Sequence, residues 1–260
     1  MPVYTDEVVV LRSRPHGEAD RLLILLGRER GKIRAIVRGV RRTSSKFGGR
    51  LEPFSVVDAQ LFTRNPLDRG ALETVTQAVT VSSYAPRIVE DYERYAAANV
   101  MVETADRLLD AEPAPAQWVL LVGALRQLAR TQTPPQLVLD SYLLRTLSLA
   151  GWEPTFVACA RCHEPGPHER ISFAAGGSVC RACALQLGAT TAVTTDALRL
   201  LWALLAGNWR VAEASDGPTR DRASQIVAGY VEFHLERGLR SMDALLRERR
   251  RPTLPPASGR

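Results

Sequence analysis

No apolar run in this 260-residue chain approaches the length of a membrane span; Leu22 to Leu26 and Trp118 to Val122 are among the longest. The N-terminus, MPVYTDEVVVL, carries an acidic pair where an export signal has a basic flank and an apolar core, so a cytoplasmic location is expected. Catalytic signatures are missing as well: there is no G-x-S-x-G, no H-E-x-x-H and no dinucleotide fingerprint after a strand. GRERGKI (27–33) resembles a phosphate loop only faintly. Three residues, not four, separate Gly27 from Gly31, and Ile33 stands where Ser or Thr is needed. Of the four histidines, His16 falls in a turn and His234 beside Phe233 in a helical pattern, where packing is the better reading. Glu18 and Asp20 flank a turn, and the carboxylates are nowhere grouped as metal-dependent nucleases require. A binding protein is expected, not an enzyme.

Cysteine is scarce, and its four copies share one motif. Cys159-x-x-Cys162 and Cys180-x-x-Cys183 are separated by seventeen residues, a zinc-ribbon spacing. Each pair turns two thiolates inward, and two pairs close a tetrahedral site. Two disulfides do not suit a chain without an export signal, and a thioredoxin-type pair explains one C-x-x-C but not two. His163 and His168 lie close by and read as bystanders, since four cysteines already saturate the ion. A saturated zinc has no open position for water, so one structural Zn2+ per chain is expected. Between the pairs, ISFAAGGSVC reads as a short strand and a Gly turn leading into Cys180.

Acidic residues are absent from KIRAIVRGVRRTSSKFGGR (32–50), which holds seven Lys or Arg. The net charge of the chain is +6, so the other 241 residues sum to −1. A second basic stretch, RERRRPTLPPASGR from Arg247, has five Arg against one Glu. Localised positive charge of this kind points first to nucleic acid, with acidic proteins or anionic membranes behind it. In a strand over 32–40, alternation puts Lys32, Arg34 and Arg38 on one face, and Ile33, Ala35 and Val37 on the other. Arg41, Arg42, Lys46 and Arg50 then fall in or beside a Ser- and Gly-rich loop that reads as mobile. Phe47 sits amid it, either to stack on a base or to fold back onto the barrel.

Segments 6–14, 19–27, 31–40, 53–62 and 71–81 are rich in Val, Ile, Leu and Thr and bounded by Gly, Pro or Asn. Five strands in about 80 residues predict a small closed or partly closed barrel; an SH3-like barrel or a meander fits the same pattern. From Ser82 the period becomes helical. Ile88, Tyr92, Tyr95, Val102, Ala105 and Leu109 form one stripe, with further helices at about 115–130 and 135–150, the latter apolar nearly all round. After the cysteine insert, Thr194 or Thr195 caps a helix bearing Leu198, Leu201, Trp202 and Leu205. Ile226, Tyr230 and Phe233 mark a later helix; Leu239, Met242 and Leu246 mark the last.

VVVLRSRPHGEADRLLILLGRERGKIRAIVRGVRR, the following KFGGRLEPFSVVDAQLF, and the C-x-x-C pair within a helical region together resemble the bacterial RecO family of recombination mediators. The resemblance implies an α+β chain: an N-terminal five-stranded OB-fold β-barrel over 1–81, then an all-helical domain, 82–154 and 189–248. A zinc-ribbon insert is expected over 155–188, and from its prolines and lack of apolar periodicity 249–260 is expected to be a disordered basic tail. It further implies binding of single- and double-stranded DNA and annealing of complementary strands. Implied partners are RecR, the C-terminal tail of single-strand-binding protein and, indirectly, RecA, with a cytoplasmic, nucleoid-associated location. Lys32, Arg34, Arg38, Arg41, Arg42, Lys46 and Arg50 match the family's basic surface, and Phe47 is grouped with them as a DNA contact. A zinc-containing transcription regulator or an RNA-binding module is the alternative.

Overall fold

The computed structural model describes residues 3–42, 45, 47–65, 68, 70–235 and 239–249. Its N-terminal third is a closed barrel of β1 (Val3–His16), β2 (Asp20–Gly27), β3 (Gly31–Val37), β4 (Ser55–Phe62) and β5 (Leu72–Ser83). The order is β1-β2-β3-β5-β4, with β4 returning to β1, and only the β3–β5 pair is parallel. That is the Greek-key connection of an OB fold; a meander would have paired β3 with β4. All five expected strands are present.

Alternation fills the barrel with Val8, Val10, Leu23, Leu25, Ile33, Ala35 and Val37. Val9, Leu11, Leu26 and Val56 are equally buried, but they belong to a second cluster shared with the helices. Burial on both faces is why β1 reads VVVL without alternation.

The helices are α1 (Ala85–Val89), α2 (Tyr92–Leu108), α3 (Pro115–Arg130), α4 (Pro135–Leu149), α5 (Arg181–Leu187), α6 (Thr195–Ala206), α7 (Trp209–Glu213), α8 (Gly217–His234) and α9 (Arg240–Arg249). The single stripe expected from Ile88 to Leu109 is broken. Asp91 accepts the amide of Arg94 as an N-cap and restarts the helix in a new phase, leaving Tyr92 and Tyr95 exposed. As its composition implies, α4 is central, packed on α2, α3, α6 and α8. Gln117 and Thr146 bond reciprocally between α3 and α4. Thr194 caps α6 by accepting the Ala197 amide. Among the described residues no helix is long and apolar enough to cross a membrane. The expected tail lies outside them beyond Arg249.

Barrel and helices are joined through the β2–β3 turn. Asp6, buried in β1, accepts the amides of Arg28, Glu29 and Arg30 at 3.2 Å each. The Lys32 amide donates to the Asp110 carbonyl at 2.8 Å, just past the end of α2. Gly31, at φ 71°, is pressed so closely there that a Cβ would overlap the Glu112 carbonyl oxygen. Gly31→Ala is therefore expected to cost about 3 kcal/mol through backbone strain and the lost dock. Thermal unfolding checks it: the midpoint falls by roughly 6–10 °C, whereas Gly17→Ala, with open space around it, costs only about 1 kcal/mol.

Candidate nucleic-acid interface and cysteine site

The alternation expected over 32–40 is observed as far as Val37, where β3 ends: Ile33, Ala35 and Val37 point inward, Lys32, Arg34 and Ile36 point out, and Arg38 is exposed in the turn that follows. The outward cations have different fates. Lys32 is drawn to α2, where its Nζ donates to the Asp106 carbonyl at 2.7 Å and lies 3.8 Å from the Asp106 carboxylate. Asp106 also takes Arg12 of β1 at 3.0 Å. Arg34 and Arg38 are exposed and have no ion pair among the described residues.

Beyond β3 the basic segment begins as an ordered turn. Gly39 donates its amide to the Asp20 carboxylate at 2.8 Å. Arg41 bonds the β1–β2 hairpin twice, through its amide to the Ala19 carbonyl (2.9 Å) and through Nη1 to the Gly17 carbonyl (3.3 Å). Arg42 is exposed beside it. Lys46 lies outside the described residues. Phe47 departs from its assignment as a DNA contact. A 3-10 turn, Gly48–Leu51, packs on β4 and β5 and carries Phe47 and Leu51 into the barrel core. At 4% exposure the ring has no face left for a base. Arg50 stays exposed on that turn.

Strand register adds residues that charge counting overlooked. A bulge between Val10 and Arg12 resets β1, so that Arg12 lies opposite Ile24 and Arg14 opposite Leu22. Leu22 in turn pairs with Ile36, and Ile24 with Arg34. Arg14 is exposed and without a partner among the described residues. Arg-Ser-Arg at period 2 was a visible signal, but the bulge that sets its face was not.

In the insert, β6 (Arg170–Ser172) and β7 (Gly177–Val179) form the expected hairpin, with β8 (Thr191–Ala192) on the other side of β6. Cys180 is the N-cap of α5 and Cys183 lies in its first turn. The sulfurs of Cys159, Cys162, Cys180 and Cys183 all fall within 4.8 Å of one another, and Cys162 and Cys180 are 3.8 Å apart. A tetrahedral ion with bonds of about 2.3 Å to sulfur has S–S edges of about 3.8 Å, so the donor set fits. Burial opposes the Cys159 thiolate, but the amides of Cys162, Cys180 and Arg161 outweigh it and bring its pKa down to about 6. Burial and the neighbouring thiols push Cys183 up to about 12. Four thiols packed this closely cannot all ionise without a cation between them. His163 makes a left-handed bend (φ 63°), and His168 bonds the Glu164 carbonyl at 2.9 Å.

A separate groove of about 920 Å³ runs between α3, α4 and α6, with Val119, Leu120, Trp202 and Leu205 along it and Arg145 at its side.

The family model described as "Recombination protein O N terminal" matches residues 1–84, and "Recombination protein O C terminal" matches residues 89–243. The chain belongs to the RecO family. A DNA repair protein RecO of Streptomyces avermitilis is 48% identical over 246 residues, covering 93% of this chain and 98% of that protein. The RecO of Cutibacterium acnes is 47% identical over 253 residues, covering 95% and 100%. That of Frankia casuarinae is 48% identical over 249 residues, with the same coverage. RecO membership puts the chain in recombinational DNA repair.

Proposed function

We propose that this chain binds single- and double-stranded DNA on the outer face of its barrel and anneals complementary strands. The observation that carries this is the part of the β3 face that α2 leaves uncovered. There Arg34 and, just past the strand, Arg38 stand exposed with no ion pair among the described residues, followed by Arg41, Arg42 and Arg50. Annealing needs cations that screen two phosphate backbones and contacts weak enough for strands to search for register; no catalytic group is required. In this reading Lys32 acts mainly as a tie between barrel and helices, since Asp106 already takes its charge.

The cysteine site holds zinc in this reading. Cys159, Cys162, Cys180 and Cys183 would ligate it, and the ion would stabilise the insert without taking part in DNA chemistry. With RecR, the protein would help RecA load onto DNA coated by single-strand-binding protein. The groove beside α6 suits that protein's acidic tail, since both apolar Trp202, 45% exposed, and Arg145 line it.

Duplex formation from complementary oligonucleotides, followed without nucleotide, tests the central claim. The protein should accelerate it many-fold. No acceleration, with tight and sequence-selective binding instead, would favour the transcription-regulator alternative; selective binding of the matching RNA would favour an RNA-binding module.

A further inference from the structure

The exposed barrel face has a floor as well as cations. Along one row of the register run Arg14 on β1, Leu22 on β2, Ile36 on β3 and Thr74 on β5. In the next row Arg12, Ile24, Arg34 and Leu72 follow one another. The helices cover part of this second row: Ile24 packs against their core, and Arg12 is held by Asp106. Leu22 and Ile36 lie outside that core and are only half-buried, while Leu72 is exposed. Leu22 and Ile36 thus make an aliphatic pair across β2 and β3, with Arg14 beyond Leu22 on β1, and with Arg34 and, one residue past the strand, Arg38 flanking Ile36 on the β3 side. Strand spacing puts β1 and β3 about 10 Å apart, a width that admits one extended strand. The first aromatic ring round the barrel in the first row, Phe62, stands two strands beyond Ile36. Phe47, the ring nearest in sequence, is inside the core.

We propose that Leu22 and Ile36 form the base-contacting floor of a single-strand track, and that Arg14 binds phosphate on the bank opposite Arg34 and Arg38. This rests on the DNA-binding reading and adds how the bases are held. Aromatic platforms retain single strands through stacking. Branched aliphatic side chains offer apolar contact without stacking, so every base is held alike and weakly. Affinity then comes mainly from phosphates, and each base stays free to turn toward a complementary strand.

The probe is a labelled thymidine oligonucleotide of about 20 residues, titrated at several salt concentrations. Arg14→Glu should weaken binding about fivefold and flatten the log–log salt slope by about 0.7, the share of one phosphate on a single strand. Leu22→Ser with Ile36→Ser should weaken it about threefold and leave the slope unchanged. Ile36→Trp should tighten it about tenfold, with the new indole quenched by bound oligonucleotide. If Ile36→Trp binds as wild type with unquenched fluorescence, and Arg14→Glu keeps the full slope, the track is overturned. Loss of binding in an Arg34→Glu, Arg38→Glu variant would then still support the barrel face. Wild-type binding in that last variant overturns both.

Discussion

Reversing Arg34 and Arg38 to glutamate is expected to weaken single-strand binding about a hundredfold near 50 mM salt and to abolish annealing. Arg34 is exposed midway along β3, whose inner face carries the core, and Arg38 is exposed just past its end, so the change leaves packing untouched. Five or six phosphate contacts on single-stranded DNA give a salt slope of roughly −4. Losing two reduces it to about −2.6, and the two added carboxylates repel the backbone further. Titrations at three or more salt concentrations check both numbers. Lys32→Glu should behave differently. Its ammonium sits on Asp106, so the substitution sets two acids together, and the main effect should be on thermal stability. If the Arg34 and Arg38 reversal left slope and affinity intact, the DNA surface would lie elsewhere.

Removing the ion proposed for the cysteine site should have the largest effect on structure. Metal analysis should give one equivalent per chain. Chelation, or Cys183→Ser, should remove about 10 kcal/mol of local folding energy. The insert from Thr155 to Ala192 should then lose its hydrogen-exchange protection. The disturbance should spread into α8, because Phe173 of the insert lies in contact with Gly229 and edge-on to Tyr230 at 6.0 Å, and the Tyr230 hydroxyl donates to the Trp152 carbonyl. Affinity for the ion should fall as pH falls, because protons compete for the thiolates. Without metal, Cys159 titrates at about 6 but Cys183 at about 12. Each thiol still protonated at neutral pH makes affinity drop about tenfold per pH unit. Barrel-borne DNA binding should survive chelation, because the insert touches none of its strands in the register. A metal-free protein with a fully protected insert would refute the assignment.

Much of this was legible in the sequence because it follows from period and spacing. Alternation in KIRAIVR gave both faces of β3, and the two C-x-x-C pairs gave all four clustered sulfurs. What escaped depends on contacts between segments distant in sequence. Lys32 and Arg34 look alike in a strand, and only the docking of α2 separates one that is paired from one that is free. Phe47 reads as a loop residue until the 3-10 turn carries it into the core. The α1–α2 break hinged on Asp91, whose capping of Arg94 outweighed an apolar stripe that ran straight through it. Arg14 needed the β1 bulge, which changes register without changing composition.

Asp106 belongs to a helix, yet it sets where the barrel's positive field ends. A single carboxylate meets Arg12 from β1 and Lys32 from β3, the two cations nearest the helices on a face that would otherwise stay positive along its length. The reach of the proposed DNA-facing potential is thus bounded from outside the barrel. Any change in how α2 seats would lengthen or shorten that field with no change in the barrel itself.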